Sequence, residues 1–448
     1  MDKLADNGLY LLENVLGRAR AAGADAADAV FVRGTSLSLS QRLGEPEHLD
    51  RAEGADLGLR VFVGKRQAIV SSADTAAPAL SELVERAVAM ARTVPEDPYC
   101  GLAEPALLAR EVPDLDICET GEPTAATLIG WAAAAEDAAR AVPGVTNSEG
   151  AEANWGRSEV ALAATNGFSR NYAGSRYSLS VSVVAGEGTG MERDYDFTGA
   201  VHAGDLRRPE EVGRSAGEKA VRRLNPRRVA TAKVPVVFDP RVSRGLLGHL
   251  ASAIAGPAVA RGTTFLKDKL GKRLFPEAIT VVDDPLRRRG LRSKPFDGEG
   301  VATRRRNIIE KGVLTTWILD LRSARQLGLK TTGHASRGTS SPPSPSTTNL
   351  YLEPGRSTPA QLMADIESGF YVTELIGFGI NGVTGDYSRG AGGFWIDKGE
   401  IAYPVSGLTI AGNLVDMFAT LSADDDLVFR YGTDAPTLRV EGMTVAGE

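Results

Sequence analysis

The chain is poor in the residues from which most disulfide, redox and metal chemistry is built. It has two cysteines and four histidines in 448 residues. Cys100 and Cys118 are far from any C-x-x-C spacing, which excludes a disulfide framework and suits a reducing compartment. His48, His202, His249 and His334 are scattered, so no local group has metal-ligand spacing. Aromatic residues make up 6% while glycine numbers 50, a balance that favours turns and close-packed strands over a helical bundle. No run approaches the roughly 18 apolar residues of a membrane span. The first residues, DKLADNGLYLLENVLGRARAAG, read as an amphipathic helix with an acidic start rather than a basic leader, so cytoplasmic residence is the expectation. Positive charge is also in deficit, 51 Lys and Arg against 57 Asp and Glu for a net −6. That argues against a broad nucleic-acid footprint.

What is present is length and alternating apolar pattern. A chain of 448 residues exceeds one ordinary core. The pattern predicts an α+β protein. Residues 1–226 form an N-terminal α/β domain with a helix, strands, helix order that repeats over 1–94 and 123–225. Residues 227–448 form a strand-rich C-terminal domain with a few helices. The first helix, residues 4–22, puts Leu9, Leu12, Val15, Leu16 and Ala19 on one stripe. Strands are expected at 29–40, 57–63, 67–71, 145–153, 158–164 and 177–184, with Asp74 and Thr75 as helix caps. Residues 95–123 read as a long connection and 224–233 as the boundary. In the second half, strands are expected near 278–282, 307–310, 313–319, 349–352, 370–376, 393–396, 401–405 and 427–429.

Five stretches carry possible chemistry. The helix GLLGHLASAIAG, residues 245–256, holds His249 where a zinc hydrolase would begin an HExxH-like signature, which needs two imidazoles on one helical face and a glutamate to take a proton. Here Leu250 follows directly and Ile254 stands further on, so neither glutamate nor second histidine is available. A lone histidine of this kind is more often packed than ligating; a self-contained site would have to recruit His334 and a carboxylate such as Asp320. Residues 213–217, GRSAG, match a nucleophile elbow around Ser215, but inside a helical pattern rather than at a strand end. Residues 377–382, GFGING, match a dinucleotide fingerprint with no helix opening behind it. The glycine-rich stretch after it, including Gly392 and Gly393, would suit an edge that pairs with an extended peptide, although hairpin turns are the simpler reading. The arginines between Arg287 and Arg306, among them Arg304, read first as a solvated face and second as a surface for a partner or an acidic substrate. Residues 336–349, SRGTSSPPSPSTTN, read as a mobile surface loop, which makes His334 a candidate at the lip of a cavity.

GTTFLKDKLG (262–271), PFDGEGVATRRRNIIEKGVLTTWILD (295–320), SARQLGLKTTGHA (323–335), TTNLYLEPG (347–355) and PTLRVEGMTVAG (436–447) occur in this order. Together these segments resemble the TldD/PmbA family over nearly the full chain, and specifically its PmbA (TldE) branch. The resemblance implies a two-subunit cytoplasmic peptidase. A TldD-type chain carries zinc on an HExxxH helix with a late cysteine, and the assembly cleaves unfolded peptides inside an enclosed cavity. It also implies roles in maturing microcin-type peptides and degrading antitoxins, and an association with DNA gyrase. On that pattern this chain keeps only His249, with Leu250 and Ile254 in place of the glutamate and second histidine. The expectation is a subunit that binds no cofactor itself, forms part of the chamber wall, and pairs with a zinc-bearing TldD-like subunit, or with itself in isolation. The alternatives are a self-sufficient metal hydrolase and a non-enzymatic binding protein acting on a macromolecule such as gyrase.

Overall fold

The computed structural model describes residues 3–447. Its first half is a single antiparallel sheet in which the order helix, three strands, helix occurs twice. The first unit is α1 (Lys3–Ala21), β1 (Ala26–Arg42), β2 (Glu45–Val63), β3 (Arg66–Ser72) and α2 (Ala77–Thr93). The second is α3 (Ala125–Arg140), β4 (Val145–Ala164), β5 (Ser169–Ala185), β6 (Glu192–Ala200) and α4 (Pro209–Arg222). The units meet where β1 pairs with β4, giving the order β3-β2-β1-β4-β5-β6.

All four helices lie on one face, because successive side chains of a strand point to opposite sides and the apolar ones share a parity. Along β1, Ala27 and Ala29 pack under α1 and α2 with Leu12, Val15 and Leu83. Leu37 and Leu39 pack under α3 and α4 with Leu128, Val212 and Ala216. The two later helices approach closely. A Cβ at Gly213 or Gly217 would fall inside van der Waals contact with the carbonyls of Ala135 and Ala139. The glycines of the elbow-like motif are thus helix-contact residues, and Ser215 lies within α4.

The opposite face of the sheet changes character along its length. At one end Val30 and Leu162 pack with Phe168 against Phe296 of the second half. At the other end the same face carries serines and glutamate, described below.

The second half is built on β7 (Ala232–Phe238), which lies between the parallel strand Ser368–Ile376 and the antiparallel strand Leu438–Ala446. Strands Asp386–Asp397 and Glu400–Asn413 extend this sheet, and Thr409–Ala411 pair with Thr444–Ala446 to close it into a five-stranded barrel. Closure removes the open edge where those residues meet. A smaller five-stranded sheet includes Val281–Asp283, Arg306–Glu310 and Leu350–Leu352.

Several local expectations change. Residues 145–153 and 158–164 are one continuous strand, β4, and the polar stretch 45–56 extends β2. Residues 427–429 are not a strand, and the strands expected at 278–282 and 313–319 shorten to Val281–Asp283 and Val313–Leu314. Ala76 rather than Asp74 or Thr75 occupies the N-cap of α2; the Asp74 carboxylate accepts the Ala76 N–H in the preceding turn. The loop expected to be free is docked. Ala335 and Ser336 pair with Pro345 and Ser344, and Thr339 donates to Asp56 of β2.

Candidate functional site

His249 sits on α5 (Pro240–Ala253), whose N-cap Asp239 accepts the Arg241 N–H at 2.9 Å. The apolar stripe of this helix drives Leu246, Leu247 and Leu250 into the barrel core, with Ile254 following at the C-cap. Leu250 and Ile254 are both 0% exposed. His249 is half-buried and stands edge-on to Tyr387, 5.9 Å between ring centres. Burial, then the Arg389 cation, hold its pKa below the usual imidazole value, so it is neutral at pH 7. Zinc needs several N, S or O donors and is repelled by a nearby cation. A single imidazole backed by leucine and isoleucine with arginine close by does not fit it. Among the described residues no three His, Cys, Asp or Glu side chains lie close enough to share an ion.

The self-sufficient site assembled from His249, His334 and Asp320 does not form, because each side chain is committed elsewhere. His334 is 3% exposed and bonds Thr332 at 2.8 Å and the Asp283 carboxylate at 3.1 Å. It is an internal strut and not a cavity lip. Asp320 caps the helix Leu321–Gln326 in a reciprocal box with Ser323. Gly393 is pressed against the Tyr371 carbonyl inside the barrel wall, and its strand is paired on both sides, so it offers no edge to a peptide. Gly392 faces Glu374 and Arg223. Arg304 is exposed. Others of the same basic stretch are exposed but paired within the chain: Arg289 bridges Asp116 and Asp205, and Arg305 pairs with Glu353.

The structure does form a cleft, between the polar end of the sheet's open face and the barrel. Cross-strand register sets His48, Ser40, Glu152, Ser180 and Phe197 in one row over β2, β1, β4, β5 and β6. Asp50, Ser38, Asn154 and Ser178 form the next row. Paired residues project to the same side; His48, Ser40, Glu152 and Ser180 of the first row, joined by Ser182 of β5, make the polar floor of the cavity. The cavity above it has a volume of about 590 Å³ and is bounded across the gap by Glu374, at the end of a barrel strand. Arg223 bonds Glu374 at 2.5 Å, and Arg241 of α5 bonds Asp194 of β6 at 2.6 Å. The helix bearing His249 is therefore tethered to the cleft wall at its first turn. Ser40 Oγ in the floor is buried and has no hydrogen-bond partner. The signal for this floor was in the sequence: SLSLS at 36–40 and SLSVSV at 178–183 alternate serine with an apolar residue.

A second feature escaped sequence reasoning. Between the apolar end of the open face and the segment 296–300, the Asp28 carboxylate accepts from Arg60 of β2 and from Arg337 at 2.5 Å. The guanidinium side chains are 4% and 1% exposed. Burial alone would raise the Asp28 pKa, but Arg337 and Arg60 outweigh it and hold the carboxyl below its usual range. Glu299 and Asp297 are also enclosed here, and burial pushes both upward. This charged cluster ties the two halves together.

Three family models match the chain in order: PmbA/TldA metallopeptidase domain 1 at residues 27–91, the central domain at 119–224, and the C-terminal domain at 231–447. Metalloprotease PmbA of Escherichia coli O157:H7 is 39% identical over 426 residues, covering 95% of this chain and 93% of that protein. The PmbA homologue of Haemophilus influenzae is 36% identical, with 95% and 93% covered. Among solved structures, a proposed DNA gyrase modulator from Bacteroides thetaiotaomicron superposes with a TM-score of 0.89 at 27% identity, covering 98% of each chain. TldE from Thermococcus kodakarensis shares the fold, with a TM-score of 0.87 at 23% identity and coverage of 97% and 99%.

Proposed function

Since the chain belongs to the PmbA/TldD metallopeptidase family, we propose that it is the PmbA/TldE-type subunit of a two-chain cytoplasmic peptidase acting on unfolded peptides. In this reading the zinc and its activated water reside in a TldD-type partner. This chain contributes a wall of the chamber, the serine-lined cleft and its glutamates, and orients substrate without cleaving it.

One observation carries the proposal: the helix at the family's metal position offers a neutral, half-buried imidazole with Leu250 and Ile254 locked in the core. Activated water needs a metal or a base with a raised affinity for its proton, and α5 supplies neither. The cleft supports the second part. Small hydroxyls and carboxylates on a flat sheet face, a barrel opposite, and a cavity of about 590 Å³ suit an extended chain held without a deep specificity pocket.

The test mixes this chain with a zinc-bearing TldD-type chain and follows cleavage of an unfolded peptide, with zinc measured on each separated subunit. The expected result is negligible cleavage by either chain alone, cleavage by the mixture, and zinc in the partner only. His249→Ala in this chain leaves the mixture's rate within about twofold, since a neutral packed imidazole has no step to perform. Stoichiometric zinc and chelator-sensitive cleavage by this chain alone would refute the assignment. Association without any gain in cleavage would favour a binding protein instead.

A further inference from the structure

β2 is paired on both sides for only part of its length. β3 covers Leu57 to Val63, whereas Glu45–Asp56 has β1 on one side and, among the described residues, no strand on the other. Every residue from Glu45 to Gly54 is exposed, including Leu49 at 51%. Alternate backbone N–H and C=O groups of such an edge point outward with no partner and template the addition of another strand. This edge is strongly acidic. It carries Glu45, Glu47, Asp50, Glu53 and Asp56 against the single cation Arg51, which is already paired with Glu53 and Glu122. Like charges directly opposite one another destabilise strand pairing and opposite charges favour it, so the edge rejects acidic strands and accepts basic ones. It also leads into the cleft, since Glu47 and His48 belong both to the edge and to the cavity lining.

We propose that Glu45–Gly54 of β2 is a docking track for an extended peptide segment bearing lysine or arginine, which adds as a further strand and continues past the β1–β2 turn into the cleft. Lysines on one face of the added strand meet Asp50 and, at the bulge where the β1–β2 register shifts, Glu47, which lines the cavity beside His48; Glu53 lies on the other face. The proposal rests on the reading of the chain as a peptidase subunit. It deepens that reading by naming the substrate's charge and its point of entry.

The experiment uses the full chain without partner, so that its outcome is independent of cleavage. Binding is measured by fluorescence anisotropy with three labelled twelve-residue unstructured peptides: one with lysine at alternate positions, one with glutamine at those positions, and the lysine peptide with N-methylated backbone amides. The lysine peptide should bind at least tenfold tighter than the glutamine peptide, lose that affinity when N-methylated, and weaken as salt rises. A Glu47→Gln, Asp50→Asn, Glu53→Gln variant alters exposed side chains and should keep its circular dichroism and melting temperature. It should bring the lysine and glutamine peptides within about twofold of each other. Equal binding of the two parent peptides, or an N-methylated peptide that binds as well, overturns the proposal. So does sedimentation showing that the edge is occupied by a second copy released by the triple variant. If cleavage by the two-chain mixture fails while selective binding persists, the subunit assignment falls and the docking track stands.

Discussion

Asp28→Asn is the sharpest perturbation of the junction between the halves. The wild-type carboxylate serves two guanidiniums, Arg60 and Arg337, which are 4% and 1% exposed. Arg337 lies 309 residues from Asp28 in sequence. Asparagine keeps an acceptor oxygen but removes the charge that both buried cations share; Arg60 is left with Glu299, whose Oε1 is 3.8 Å away, and the more distant Asp320. Removing one partner from a buried pair costs about 3–5 kcal/mol, because the remaining charge stays desolvated. A loss of that size is expected at pH 7. The folded-state pKa of Asp28 is depressed, so its stabilisation is present above the unfolded carboxylate value of about 3.9 and is lost as pH falls through the lower folded value. The gap between wild type and variant should therefore narrow below about pH 4. Guanidinium denaturation at pH 7 and pH 3.5 measures the gap. Hydrogen exchange on peptides covering Asp28 and Arg337 should show both losing protection together. A difference under about 1 kcal/mol at pH 7, or one that persists unchanged in acid, would refute the reasoning. A control with Asp28→Leu, Arg60→Met and Arg337→Met should be near neutral in stability, since a well-packed apolar replacement also removes the desolvation cost.

Three further expectations follow from the geometry. Gly58→Val drives a Cβ into the backbone of Thr339; overpacking of this kind costs about 1–3 kcal/mol, and limited proteolysis should then cut within 337–343. Glu136→Ala removes the carboxylate that accepts the Leu43 and Gly44 N–H groups at 2.7 and 3.0 Å. A loss of about 1–3 kcal/mol should come with faster exchange of those two amides. Leu250→Glu with Ile254→His rebuilds the letters of a zinc signature at two positions that are 0% exposed. The outcome should be a protein destabilised by more than about 3 kcal/mol and no stoichiometric zinc by elemental analysis.

Much of the scaffold was legible because it depends on local periodicity. The stripe on α1 and the alternation of β1 and β5 are short-range signals, and each appears where expected. The gap in chemistry at His249 was equally plain, since Leu250 and Ile254 are absences that no fold can repair. The strand at 45–56 was not legible. It lacks an apolar alternation, and main-chain hydrogen bonds to β1, with side-chain ties from Arg51 to Glu122 and from Thr339 to Asp56, hold it extended.

Sequence alone thus determined which segments are amphipathic, that the helix motif at 245–256 has one possible metal donor, and that serines alternate with apolar residues on two strands. Tertiary structure decided that those two strands flank β4, so that their serines share one floor, and that Glu374 bounds it from the other side. It also decided that Thr339 is docked against β2, that Gly393 is buried in a closed barrel wall, and that Glu45–Gly54 of β2 is an exposed, acidic edge. The physical reason is range. A side chain's preference for water or core is written within a few neighbouring residues, whereas edges, clefts and buried ion pairs arise from contacts between residues hundreds of positions apart.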